Sequence, residues 1–374
     1  MKNLLLFSVL LFGGSFSFSQ CPANISLFSQ EDIDNFSTDY PNCTGADLRL
    51  VINGQNSNIQ NLNGLSVLTL LESLELYDTQ LTNFQGLNNL SRIFVFIRIL
   101  NNDQLIDFSG MDALANISGF MDVYDNNLLS SFDGLDNLGG IDGKFVVGGN
   151  IGLQSLSGLN NLTNVGGTLS ISNNLALEDI SGLESLELVG SGAADEFRLF
   201  NNPSVTSLLG LENLTTINGN LRIEHNNSLE SIAGLSSLES VIDLVKIRFN
   251  GQLTICSIEY ICMNLTNPDI EFDISNNLTG CDSIEEIEAA CTLSGTDIPL
   301  ADQLLLFPNP VSEILQIHTS EGISLQKVTV YSLLGKELIA TSEETIDFST
   351  FSNGIYFVKV VTNSGNITKK IVKE

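Results

Sequence analysis

The chain is poor in the residues from which most catalytic centres are assembled. Two histidines stand among 374 residues, His225 and His318, far apart and with no serine or cysteine nucleophile motif beside them. An acyl-transfer triad or a multi-histidine metal centre therefore has little to be built from. Positive charge is equally scarce, with 15 lysines and arginines against 44 acids and a formal charge of −29. A body of that sign repels polyanions over most of its surface, which argues against nucleic acid as a partner. No Cys-x-x-Cys pair occurs, so a structural zinc site has no framework. EF-hand loops and the glycine-rich calcium nonapeptide are missing too, and no metal or cofactor is expected. After the first twenty residues no apolar run is long enough to cross a bilayer, so the mature chain is expected to have no transmembrane segment.

What is present begins with a targeting signal. Lys2 precedes an apolar run from Leu4 to Phe12, then Gly13, Gly14 and the small-residue pattern Ser17-Phe18-Ser19 before Gln20. Residues 1–19 read as a secretory signal peptide. Export places the six cysteines in an oxidising compartment, where disulfides form. Cys21 and Cys43 stand at the start and are expected to pair. Cys256, Cys262, Cys281 and Cys291 come late, and three connectivities are open to them.

Between the two cysteine groups the chain repeats. Glycine followed by leucine or methionine recurs at Gly64, Gly86, Gly110, Gly134, Gly158, Gly182, Gly210 and Gly234, with gaps of 22, 24, 24, 24, 24, 28 and 24. Four residues after each stands a leucine, from Leu68 to Leu238. Eight residues before the glycine, from the third repeat on, stands asparagine: Asn102, Asn126, Asn150, Asn174, Asn202 and Asn226, with Asn250 continuing the series. Each unit also holds a short alternating stretch such as Leu169-Ser170-Ile171 or Leu221-Arg222-Ile223, and period two means strand. A strand this short buries its apolar face only when stacked on neighbours, which predicts about ten coils sharing one parallel sheet between Leu48 and Ile274. The asparagine column is explained by structure alone, as amides satisfying backbone groups at the turn after each strand.

The pattern Leu-x-Leu-x-x-Asn, in Leu169 to Asn174 and Leu221 to Asn226, is the core of a leucine-rich repeat. The fuller unit, clearest in Leu208, Gly210, Leu211, Leu214, Ile217, Gly219, Leu221 and Ile223, resembles the repeats of receptor L-domain-like solenoids on bacterial surface proteins, over residues 46 to 277. The flanking cysteines then read as end caps. The expected fold is all-β dominated: a disulfide-capped leucine-rich solenoid over 20–295, a linker at 296–303, and a small antiparallel β-sandwich over 304–374.

That last segment contains several short strands separated by turn residues. Its motifs, in order, are Pro308-Asn309-Pro310, Leu334-Gly335-Lys336, Gly354-Ile355-Tyr356-Phe357-Val358-Lys359-Val360 and a basic end with Lys369 and Lys370. They resemble the C-terminal sorting domain of type IX secretion substrates. The resemblance implies the type IX machinery as a partner and export to the medium or the outer cell surface. Charge agrees with two modules, since residues 304–374 hold six lysines and seven acids while residues 20–303 hold eight bases and 37 acids.

On a strand the residue between two buried positions points outward. That column reads Arg98, Asp122, Val146, Ser170, Arg198, Arg222, Lys246, and the next outward one reads Leu100, Tyr124, Gly148, Ser172, Phe200, Glu224, Arg248. Arg198, Phe200, Arg222, Lys246 and Arg248 thus form a basic and aromatic patch over the last three coils. One reading is that the patch docks an anionic or sugar ligand, with arginines as donors and Phe200 as a stacking platform. The other is a solvated strand face in which Glu196 and Glu224 offset the charge. The function expected is binding or adhesion to an extracellular protein or glycan, not catalysis. The alternative is a carbohydrate-active lyase or hydrolase, which needs a placed carboxylate pair. The acids, among them Asp133, Asp136, Asp142, Glu178 and Asp179, are scattered through loops. In the 28-residue repeat the insertion from Gly190 to Glu196 is expected to be a structural bulge.

Overall fold

The computed structural model describes residues 21–55, 57–294, 304–319, 324–332, 336–363 and 365–373. The expected signal peptide, the linker at 296–303 and Gly335 lie outside them. The chain divides into two compact units, Met1–Glu288 and Ala289–Glu374.

In the first unit eleven strands run parallel along one face: β1 (Asn24–Leu27), β2 (Arg49–Asn53), β3 (Leu70–Tyr77), β4 (Arg92–Leu100), β5 (Phe120–Tyr124), β6 (Phe145–Gly148), β7 (Leu169–Ser172), β8 (Glu196–Phe200), β9 (Asn220–Glu224), β10 (Leu244–Arg248) and β11 (Glu271–Ser275). Ten match the coils read from the repeat, and β1 adds one more by pairing with β2. The alternating pattern holds register from end to end. Ile52, Leu76, Ile99, Val123, Val147, Ile171, Leu199, Ile223, Ile247 and Ile274 form one buried column. A slip of one residue would turn that whole column to water, which is why the register is strongly specified. A second ladder of two-residue strands, from Asn116–Ile117 to Ser240–Val241, runs beside the first. Phe84, Phe108 and Phe132, one per coil, stack with centroids 5.0 and 5.1 Å apart inside the core.

The glycine period follows from coil spacing. Gly134 sits at φ +102, and a Cβ there would lie 2.3 Å from the carbonyl oxygen of Phe108 in the preceding coil. No other residue fits both the left-handed backbone and that approach.

The asparagine column is a continuous buried ladder. Each backbone N–H donates to the Oδ1 of the next asparagine, from Asn102 to Asn126 (3.0 Å) through to Asn250 to Asn277 (3.0 Å). Each Nδ2 reaches back to a carbonyl of the preceding coil, as Asn150 does to Val123 (3.0 Å). Thr79 begins the series by donating to Asn102 through both its N–H and its hydroxyl. The residue before Thr79 and before each asparagine turns the chain at positive φ: Asp78, Asn101, Asp125, Gly149, Asn173, Asn201, His225, Phe249 and Asn276.

The ends of the solenoid are covered. After β1, helix α1 (Gln30–Asp34) starts at a capping box of Ser29 and Asp32 and leads into α2 (Phe36–Asp39), burying Ile33 and Phe36. Cys21 pairs with Cys43, as expected. At the other end, α3 (Glu259–Asn264) precedes β11 and α4 (Ile284–Ser294) follows it. Of the three open connectivities the structure selects the one in which Cys256 pairs with Cys281. Cys262 and Cys291 are oxidised as well. The insertion after Gly190 is a structural bulge: Asp195 folds back to accept hydrogen bonds from the N–H and hydroxyl of Ser191 (2.9 and 3.1 Å).

The second unit is a sandwich of antiparallel sheets. One contains β12 (Leu304–Phe307), β13 (Ile314–Thr319) and β16 (Thr345–Asp347), and the other β14 (Leu325–Ser332), β15 (Glu337–Thr341), β17 (Gly354–Thr362) and β18 (Gly365–Lys373). Leu304, Leu315, Ile317 and Ile346 from the first sheet and Val328, Val330, Val358, Val360 and Ile371 from the second share one core with Phe348.

Candidate functional site: the outward face of the parallel sheet

The register puts the outward residues of successive coils side by side, roughly 4.8 Å apart. Two charged and aromatic clusters result, separated by a short stretch of small side chains.

The first cluster spans β2 to β6. Arg49 pairs with Glu75, Arg98 lies 3.9 Å from Glu75 and 3.3 Å from Asp122, and Lys144, just before β6, lies 2.8 Å from Asp122. Sign alternates along the row, so each carboxylate sits between two cations. Phe96 and Phe120 stack beside it at 4.9 Å, with Arg98 over both rings at 5.0 and 4.9 Å and Lys144 over Phe120. Burial alone would raise the Glu75 carboxyl. Hydrogen bonds from Tyr77 and Arg49, with the charges of Arg49 and Arg98, outweigh it and hold the group below the usual carboxylate range. The same contact, together with burial, pushes the Tyr77 phenol up to about 12.

The second cluster is where the sequence placed its patch. Arg198 and Phe200 stand on β8, Arg222 on β9, and Lys246 and Arg248 on β10, all on one face. The structure sets acids between them. Arg222 lies 3.0 Å from Glu196 and 3.9 Å from Glu224; Lys246 lies 3.8 Å from Glu224 and 3.6 Å from Asp273; Arg248 lies 2.8 Å from Asp273. The four cations and three carboxylates nearly cancel. Arg198 is the one member of this cluster with no carboxylate within 4 Å among the described residues. Its guanidinium lies over the Phe200 ring at 4.6 Å. That ring face is therefore taken, and Phe200 holds the arginine in place of offering a bare platform. His225 meets Phe200 edge-on at 5.2 Å and stacks on Phe249 at 4.8 Å, while Arg248 covers Phe249 at 4.9 Å.

Between the clusters the outward positions are Val146 and Gly148 on β6 and Ser170 and Ser172 on β7. The Tyr124 ring leans across Gly148: a Cβ at that glycine would lie 2.4 Å from Tyr124 Cε1 and 3.3 Å from Ser172 Oγ. Burial raises the Tyr124 phenol, Asp122 adds to the rise, and the charge of Arg198 opposes it.

Several of these residues escaped the sequence reading. His225 and Phe249 occupy turn positions whose occupants are otherwise Asp, Asn or Gly, and that substitution was the available signal. The alternating row of Glu75, Arg98 and Asp122 was visible as a 23- and 24-residue spacing of opposite charges.

In the second unit the sorting-motif residues are structural contacts. The Asn309 amide donates to the Lys370 carbonyl (3.1 Å) and accepts from the Val372 N–H (2.8 Å), which docks the Pro308-Asn309-Pro310 turn on β18. Lys369 Nζ donates to the Leu304 carbonyl (3.1 Å), and Tyr356 OH donates to the Ser352 carbonyl (2.6 Å). The Lys336 N–H donates to the Ser332 hydroxyl, Gly354 opens β17 and the Lys370 side chain is exposed.

Stacked leucine-rich coils of this kind form an extended parallel sheet whose outward face is open. The family model for the Receptor L domain matches residues 148–233, the coils that contain β7 to β9. The model for the secretion system C-terminal sorting domain matches residues 305–374, which marks the chain for secretion or attachment at the outer cell surface through the type IX machinery. No curated protein matches the chain. No helix among the described residues is long and apolar enough to cross a membrane.

Proposed function

We propose that the protein is an extracellular binding protein whose solenoid recognises a protein or glycan through the outward face of β8 to β10. The observation that carries this reading is backbone strain. His225 and Phe249 hold φ of +61° and +57°, a conformation that costs a bulky residue on the order of 1–3 kcal/mol. Asparagine stands at the same turn position in four other coils, so the rings stand there against a stability cost. What they add is an aromatic row along the edge of the basic residues.

Catalysis is not the role proposed. A lyase or hydrolase needs a carboxylate free to take or give a proton. Five carboxylates on this face, Glu75, Asp122, Glu196, Glu224 and Asp273, are each engaged with cations.

Titration of the secreted protein against arrays of extracellular proteins and of neutral, uronic and sulfated glycans tests the reading. Wild type is expected to bind at least one member, and the triple variant Arg198→Ala, Arg222→Ala, Arg248→Ala to lose it. Equal binding by the two would remove this face from consideration.

A further inference from the structure

Resting on that reading of the sheet face, we infer that Arg198, Ser170, Ser172 and Tyr124 form a seat for a single carboxylate on an otherwise uncharged ligand, a glycan bearing an isolated uronic acid.

The seat follows from an imbalance of donors and acceptors. On the neighbouring strands each sheet-face cation is matched by a carboxylate, from Arg49 to Lys144 on one side and from Arg222 to Arg248 on the other. Arg198 faces none, and its Nε has no hydrogen-bond partner among the described residues. Ser170 and Ser172 are 7% and 8% exposed, and neither hydroxyl is bonded to a described protein group. Ser170 stands directly beside Arg198 in the sheet register, and the two hydroxyls share the floor next to the unmatched guanidinium. The Tyr124 hydroxyl is likewise unbonded, and its ring, laid over Gly148 against Ser172, walls the floor on the other side. Arg198 and three hydroxyls thus converge on ground where no carboxylate is paired with the arginine among the described residues.

Geometry and charge select the ligand. Tyr124 and Arg198 are three strands apart, and the tyrosine ring covers one of those spacings, leaving roughly 10 Å of open floor, about the width of one sugar ring. Phe200 behind the guanidinium fixes its plane, the arrangement that favours two parallel bonds to a carboxylate. Hydroxyls on the floor suit a sugar, and the shallow surface offers no pocket for the apolar neighbours of an acidic peptide. The formal charge of −29 penalises a densely charged polymer, whose further anions gain no cation of their own.

The test uses the full chain and calorimetric titration with three probes: a neutral-backbone oligosaccharide carrying one glucuronic acid, the same oligosaccharide after reduction of its carboxyl group, and a heavily sulfated glycan. The first is expected to bind, the second at least tenfold more weakly, and the third no better than the first. Arg198→Gln is expected to weaken the first probe about tenfold or more, and the Ser170→Ala, Ser172→Ala double variant severalfold. Arg92→Gln, at an exposed arginine bonded to Ser118, serves as the control with wild-type affinity. Circular dichroism and unchanged melting confirm that each variant is folded. Equal binding of the acid and its reduced form, or an unaffected Arg198→Gln, overturns the seat. Loss in the triple variant without loss in Arg198→Gln overturns the seat alone and leaves the sheet-face reading standing. Failure of the wild type to bind any of the three glycans overturns the glycan assignment.

Discussion

At the scale of single residues, polar side chains inside the solenoid carry the most consequence. Asn150 serves three groups of its neighbours: its Oδ1 accepts from the N–H and the Nδ2 of Asn126, and its own Nδ2 satisfies the Val123 carbonyl. Asn150→Ala takes these partners from the Asn126 N–H and the Val123 carbonyl and leaves the Asn126 amide with its bonds to the Ile99 and Tyr124 carbonyls, and we expect a loss of about 3 kcal/mol in chemical denaturation. Glu75 makes a pH-dependent contribution. Its carboxyl titrates lower in the fold than its ordinary value of 4.5, so the stability it adds is present above that pH and is lost as pH falls through the depressed folded value. The melting-temperature gap between wild type and Glu75→Gln is therefore expected to be largest near neutrality and to close as pH is lowered below about 4. A gap that widened on acidification would contradict the assigned network.

At the scale of elements, the coil repeat is legible in the amino-acid order because each of its requirements falls on one residue type at a fixed spacing. Gly134 answers to the carbonyl of Phe108, and Gly134→Ala is expected to cost about 2–4 kcal/mol, combining a left-handed backbone with displacement of the preceding coil. Thermal unfolding monitored by circular dichroism checks this. The alternation of buried and exposed residues in Leu221-Arg222-Ile223 and its counterparts gives the sheet and its register. What could not be read were interactions without a period. β1 lies outside the glycine series, so the added strand had no marker. The pairing of Cys256 with Cys281 depends on how the chain turns after β10, which spacing does not specify. The sheet face was half readable: its columns follow from the alternation, but whether Arg222 is free or held by Glu196 depends on side-chain reach within 4 Å.

At the scale of the whole molecule, the sorting domain and the solenoid are separate modules. Residues 305–374 match the sorting domain, and their distinctive side chains are used to hold that domain together, as Asn309 does on β18. Removal of residues 304–374 is expected to leave the protein retained by the cell, with the fraction in the medium and at the surface reduced at least tenfold by immunoblotting of fractions. An undiminished extracellular fraction would show that export is directed from elsewhere in the chain. Acidity is also distributed by use. Asp112, Asp136 and Glu212 each accept the N–H of a repeat glycine, so part of the negative charge does turn work on three laps, where Asn88 and Asn160 serve on two others.

The asparagine ladder has an evolutionary corollary. Its hydrogen bonds are the same between any two adjacent laps, so duplication or excision of one lap rejoins the spine without new chemistry, and a lineage can lengthen or trim the molecule freely. On the binding role proposed above, such edits alter the surface only where they fall between Tyr124 and Arg248, and between Tyr124 and Arg198 the number of laps sets how large a guest is admitted.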